Sequence, residues 1–147
     1  MSDVLTKTAA RNIFYGGSLF FLAIFVGLTI QSHLYVIRST PEVSDAVARG
    51  KHVWEKHSCI NCHTMYGEGA YFAPELANVL QRWGGDKDMP GAKETLRAWM
   101  KSQPSGVAGR RQMPNFKLTD KEIDDLGAFL EWASRVNTQK WPPKASG

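Results

Sequence analysis

Cys59-Ile60-Asn61-Cys62-His63 is the stretch on which the reading of this chain turns. C-x-x-C-H is the attachment pattern of a covalent haem: two thiols add to the two vinyl groups, and the adjacent histidine ligates the iron. Cysteines held two residues apart can reach both vinyls of one porphyrin, and the next residue falls beneath the metal. A thioredoxin-like redox pair would sit in a βαβ pattern, which the sequence lacks. Half of a zinc site would need a second group of ligands, whereas Cys59 and Cys62 are the only cysteines in the chain. The motif points to one covalent haem c, with Cys59 and Cys62 as the thioether residues and His63 as an axial ligand.

The chain has 147 residues and a formal net charge of +4. With the apolar N-terminal segment set aside, about a hundred residues remain, enough for one domain with a modest core. A haem would supply apolar surface that such a domain lacks. The basic excess is dispersed, without the Lys/Arg runs that a nucleic-acid partner would call for. A solvated surface is the expectation, and a basic docking face the alternative. Bacteria attach haem covalently on the outer side of the cytoplasmic membrane, which sets the compartment of everything around the motif.

Residues Ile13 to Ile30 carry no charge. Eighteen residues give about 27 Å of helix, close to the ~30 Å hydrocarbon thickness of a bilayer. Lys7 and Arg11 would also suit the basic region of a cleavable signal. The apolar run is too long for that, and no small-residue cleavage site follows it. An uncleaved anchor over residues 12–34 is therefore expected. Residues 1–11 would be cytoplasmic and 35–147 periplasmic; Arg38 weakens the charge asymmetry, and the haem motif decides the orientation. Gly16-Gly17-Ser18 would permit close approach of another membrane helix.

The spacing predicts a first soluble helix over Pro41 to His57, with Val43, Val47, Gly50 and Trp54 on one face. Glycine on an apolar face costs about 1 kcal/mol against alanine, so Gly50 asks for a close helix crossing. His52 and His57 read as surface residues. Gly67, Gly69 and Pro74 mark a loop around the haem edge, with a turn or short helix after Pro74. Lys93 to Lys101 reads as a short helix with Leu96, Trp99 and Met100 as a core stripe. Residues 102–115 form a Gly/Pro loop. Thr119-Asp120-Lys121-Glu122 is then a capping box opening a terminal helix whose Ile123, Leu126, Phe129, Leu130 and Ala133 face Gly50 and Trp54. Trp141-Pro142-Pro143 cannot continue a helix. With no strand pattern of any length, the domain is expected to be all-α.

A thioether is the natural second axial ligand, since soft sulfur favours ferrous iron. Met65 lies too close to His63 to reach the opposite face, and Met100 belongs to a core stripe. Met89 and Met113 each precede a proline. Met113 is preferred because it lies 50 residues beyond His63 and ends the Gly/Pro loop before the capped helix. Arg110 and Arg111 precede it and are candidates for a haem propionate, against a solvated surface pair.

One family shares this whole arrangement. A single N-terminal anchor, Gly50-Lys51 through Trp54-Glu55, the haem motif, and the run Gly67-Glu68-Gly69-Ala70-Tyr71-Phe72-Ala73-Pro74-Glu75-Leu76 resemble the small cytochrome c subunit of bacterial cytochrome c-dependent nitric oxide reductase, NorC. Gly109-Arg110-Arg111-Gln112-Met113-Pro114 and Trp141-Pro142-Pro143 fit the same pattern. The Gly67–Leu76 run is its most specific part. The resemblance implies a single transmembrane helix followed by a class I cytochrome c domain, in the bacterial inner membrane. It implies a non-catalytic electron-transfer subunit that draws on a soluble periplasmic cytochrome c or copper protein. Its electrons would pass to haem b and then to a haem b3/non-haem iron centre in a large polytopic partner (NorB-like), where NO becomes N2O. The anchor has no histidine cluster that could hold those centres itself. The family also implies an interface calcium, with Gly69 and Tyr71 as the contacts from this chain; backbone carbonyls are suitable hard ligands.

Two other roles share these features: a free-standing membrane-tethered electron carrier, and the monohaem subunit of a cbb3-type oxidase, which would be longer. A haem-based gas sensor would instead need an open or labile sixth site.

Overall fold

The computed structural model describes residues 5–138. The chain divides into two units, Met1–Thr40 and Pro41–Gly147. The first is one helix, α1 (Lys7–Ser39), opened by the Thr6 hydroxyl, which accepts from the Ala9 N–H at 3.2 Å. Its charged residues, Lys7, Arg11 and Arg38, lie near its ends. Between them Ile13 to Ile30 carries no charge, and its apolar side chains are spread all round the helix rather than along one face. Its 33 residues exceed the expected 12–34 at both ends, and it is long and apolar enough to cross a membrane.

Among the described residues of the second unit the regular structure is helical apart from one minimal hairpin, β1 (Thr64–Met65) against β2 (Glu68–Gly69), with Thr64 opposite Gly69. Four helices carry it: α2 (Asp45–Lys56), α3 (Val79–Arg82), α4 (Met89–Lys101) and α5 (Asp120–Arg135). Each long helix has a side-chain cap. Ser44 accepts from the Val47 N–H, Asp88 from the Gly91 N–H, and Thr119 forms a reciprocal capping box with Glu122. Pro90 sits in the first turn of α4, where its missing N–H costs nothing.

The predicted crossing of α2 on α5 is the backbone of the core. Val47, Gly50, Val53 and Trp54 are buried against Ile123, Leu126, Phe129, Leu130 and Ala133. A Cβ on Gly50 would lie 1.9 Å from the Asp125 carbonyl oxygen, so only glycine allows the approach. Arg49 closes the crossing at its edge, donating to both Asp125 oxygens at 2.9 and 2.8 Å. Trp132 fastens the α5 side to the segment before α2, its Nε1–H donating to the Pro41 carbonyl at 2.9 Å.

Four expectations need correction. The first soluble helix starts at Asp45, not Pro41, because Ser44 caps it; Val43 precedes it and is 57% exposed. The helix expected from Lys93 begins at Met89. Leu96 and Met100 are buried as expected, but Trp99 is 46% exposed and leans on Trp83, with ring centroids 6.2 Å apart. His52 is exposed, whereas His57 is half-buried against the Phe116 ring. Trp141-Pro142-Pro143 lies outside the described residues.

Candidate haem site

The motif begins where α2 stops. Ser58 takes a left-handed conformation (φ 51°), and the chain turns into a 3-10 turn, Cys59–Asn61. The His63 N–H donates to the Cys59 carbonyl at 2.9 Å, which keeps both cysteines and the histidine in one compact turn. Both thiols are free and half-buried. Burial, with the neighbouring Cys62 adding to it, pushes the Cys59 thiol up to about 11, against its backbone hydrogen bond.

The next limb folds back along the motif. Ala70 N–H donates to the Ile60 carbonyl at 3.0 Å, Ala73 N–H to Cys62 at 2.8 Å, and Leu76 N–H to Thr64 at 3.0 Å. Gly69, at φ 120°, is pressed so closely on the turn that a Cβ would lie 2.4 Å from the His63 carbonyl oxygen. The limb delivers the Pro74 carbonyl to His63 Nδ1 at 2.7 Å. That bond puts the ring proton on Nδ1 and leaves the Nε2 lone pair available. Burial holds the His63 pKa below its ordinary value, against the opposing pull of Pro74 and Glu75, which favours the neutral ring. A neutral imidazole with its second nitrogen committed to a carbonyl is the form in which histidine ligates a metal.

The methionines separate by context. Met65 and Met100 lie where expected, beside the motif and in the core of α4. Met89 and Met113 both pack partly buried against the core cluster, as does Cys59. Met89 opens α4, and its Cε packs over Gly85, 3.1 Å from where a Cβ would sit there. Met113 lies in an irregular loop, free of helical constraint. That loop is braced by Gln112, whose Nε2 donates to the Val107 and Arg110 carbonyls at 2.8 and 3.1 Å. Its Oε1 accepts from the Ser105 hydroxyl at 3.0 Å.

Arg110 is exposed. Arg111 is engaged: it donates to the Phe72 carbonyl, and its Cζ lies 4.5 Å from the centroid of the Phe72 ring. It therefore ties the Met113 loop to the limb that follows the haem motif. Tyr71 is 78% exposed, with its hydroxyl donating to the Gly67 carbonyl at 2.7 Å. Among the described residues no cluster of three or more His, Cys, Asp or Glu side chains could hold a metal ion.

Sequence reasoning assigned no role to Tyr66 or Glu75. Tyr66 donates from its hydroxyl to the Ala133 carbonyl at 2.7 Å, fastening the limb to α5; burial, then Glu75, pushes it up to about 12. Glu75 is buried beneath the limb. Burial alone would raise its pKa, but hydrogen bonds from Gly67, Ala77, Thr64 and Tyr66 outweigh it and hold the carboxyl below the ordinary range. A carboxylate just after the proline of a glycine-rich run was the available signal.

These residues fit a covalent haem: paired thiols in one turn, a neutral histidine oriented from behind, and a loop methionine at the same core. Comparison with known proteins agrees. The cytochrome c family profile matches residues 47–134. The nitric oxide reductase NorC protein of Cereibacter sphaeroides is 63% identical over 147 residues, covering all of both chains. The chain belongs to the NorC family of nitric oxide reductase subunits. The NorC proteins of Paracoccus denitrificans and Halomonas halodenitrificans are 53% and 51% identical, again over the whole of both chains. As a NorC, the chain is a cytochrome c with one C-x-x-C-H motif, and its second unit is the haem-bearing fold.

Proposed function

We propose that this chain is the membrane-anchored electron inlet of a nitric oxide reductase. It accepts electrons from a periplasmic cytochrome c or copper protein and delivers them to a large haem b/b3–non-haem iron subunit that reduces NO to N2O. The observation that carries the proposal is similarity over the full length to the NorC proteins of nitric oxide reductases.

In this reading Cys59 and Cys62 would tether the porphyrin through thioethers, and His63 Nε2 and the Met113 thioether would be the protein's ligands to the iron. The bound haem supplies a one-electron couple, its iron cycling between ferric and ferrous. The protein's part is to hold both ligands through that cycle. The Pro74 carbonyl fixes the His63 ring, and Arg111, braced on Phe72, keeps the Met113 loop closed over the site. Arg110, exposed beside it, remains the candidate for a propionate. Residues 1–11 lie on the cytoplasmic side, the segment within 12–34 crosses the inner membrane, and 35–147 lie in the periplasm. Gly69 and Tyr71 are offered to a calcium shared with the large partner; the remaining ligands would come from that partner or from propionates. This chain performs no NO chemistry itself.

The test is to isolate the tagged chain from detergent-solubilised membranes and assay NO consumption with a reduced donor. Co-purification of a b-haem subunit with NO-reducing activity supports the proposal. A c-type haem protein with neither partner nor activity refutes it and makes the chain a free-standing carrier. Oxygen consumption with a copper-containing partner makes it an oxidase subunit.

A further inference from the structure

The limb between the haem motif and α3 is fastened by a carboxylate to which the proposed function gives no task. Glu75 is 5% exposed. Its Oε1 accepts from the N–H groups of Tyr66 and Ala77, each at 2.9 Å, and its Oε2 from the Gly67 N–H at 3.0 Å. The Thr64 hydroxyl is a further donor. Tyr66 takes a left-handed conformation (φ 55°), so its N–H and that of Gly67 converge on the same carboxylate. The main chain of Glu75 is held too: its carbonyl accepts from Arg82 Nη2 at 2.6 Å. On one limb these bonds hold Thr64, Tyr66 and Gly67, next to His63. On the other they hold Glu75 and Ala77, next to Pro74. Only a carboxylate can do this, because it presents several lone pairs and no proton. An amide in its place would turn an N–H2 group toward a backbone N–H.

We infer that Glu75 is a positioning residue for the axial histidine: by locking the two limbs in register it holds the Pro74 carbonyl on His63 Nδ1. The inference rests on the reading of His63 as an iron ligand. An acceptor on Nδ1–H makes the imidazole a stronger donor, which favours ferric iron. Loosening that bond therefore shifts the couple toward the ferrous state. Removing the buried negative charge would act in the same direction, so position and charge must be separated.

Glu75→Asp separates them, since it keeps the charge and withdraws both oxygens by one methylene. The measurements are redox titration and hyperfine-shifted proton NMR of the detergent-solubilised, haem-loaded full chain. The Asp variant is expected to raise the ferrous-to-ferric ratio at fixed ambient potential by up to about tenfold, 59 mV for one electron. It should also move the His63 Nδ1–H resonance. Thr64→Val, which removes one donor and leaves the carboxylate, should shift both in the same direction by less, and serves if the Asp variant does not load haem. A lowered Tm with wild-type potential and resonance would overturn the inference, leaving Glu75 a purely structural residue. A shift confined to Glu75→Gln would overturn it in favour of charge alone. If His63→Ala keeps a wild-type low-spin spectrum, the ligand reading itself has failed, a result distinguishable from the others.

Discussion

Gly50→Ala adds one carbon at the point where α2 and α5 come closest. The new Cβ would lie 1.9 Å from the Asp125 carbonyl oxygen, 2.5 Å from its carbon and 2.8 Å from Phe129 Cβ. Ordinary contact begins near 3.4 Å. None of these three atoms can swing aside by changing a rotamer, so the helices must separate by more than about 1 Å. Separation strains the two-pronged Arg49–Asp125 pair and the Trp54–Phe129 contact, whose centroids are 6.1 Å apart. Overpacking of this kind costs about 3 kcal/mol, the upper part of its usual range. Alanine regains about 1 kcal/mol of helix propensity. The net loss of about 2 kcal/mol lowers Tm by about 8–16 °C in a domain of this size. Gly127→Ala is the matched control. It is also a buried helical glycine, but its Cβ would meet Leu96 Cδ2 at 3.5 Å and Lys93 Cγ at 3.6 Å, ordinary contacts. It should gain about 0.5–1 kcal/mol. Thermal unfolding of both variants, haem-loaded in detergent, reads the difference in sign. A Gly50→Ala protein as stable as wild type, or two variants shifted alike, would refute the reasoning.

Met113→Ala should abolish the long-wavelength sulfur-to-iron absorption of the ferric protein while Met89→Ala retains it; the reverse would make Met89 the ligand. Arg111→Ala removes one charge-assisted hydrogen bond and a cation–π contact, about 1–2 kcal/mol at an exposed site. It should open the Met113 loop about 5–30-fold more often. CO binding to the ferrous protein reads this. Asp125 is held at about 2, chiefly by Arg49 and also by Lys121, against burial. Its folded pKa lies below its unfolded one, so its stabilisation is present above about pH 4 and lost as pH falls toward 2. Asp125→Asn should therefore cost about 1–3 kcal/mol at pH 7. Unfolding measured from pH 7 to 2 should show the gap closing at the acid end.

Much of the fold was legible because its signals are local. The capping box at Thr119 and Glu122 and the apolar stripe of α5 act within a few residues, and both formed as expected. Gly50 also announced its crossing, since an apolar helix face tolerates glycine only for a reason. The misreadings came from the same locality. Val43 continues the periodicity of α2, but Ser44 offers the N-cap oxygen and stops the helix short of it. Trp99 continues the stripe of α4, yet it stays half-exposed and leans on the partly buried Trp83, a partner that no spacing reveals.

The sequence by itself determined the chemistry. Cys59, Cys62 and His63 are adjacent, so covalent geometry places two thiols and an imidazole in one turn whatever surrounds them. The uncharged run of α1 likewise needs no partner to declare its length and polarity. Tertiary structure decided how those groups are held. Only the folded chain brings Pro74 to His63 Nδ1, four donors to Glu75, Tyr66 to Ala133 and Arg111 to Phe72. These partners lie between 2 and 67 residues apart, and such bonds depend on directions in space that no periodicity encodes.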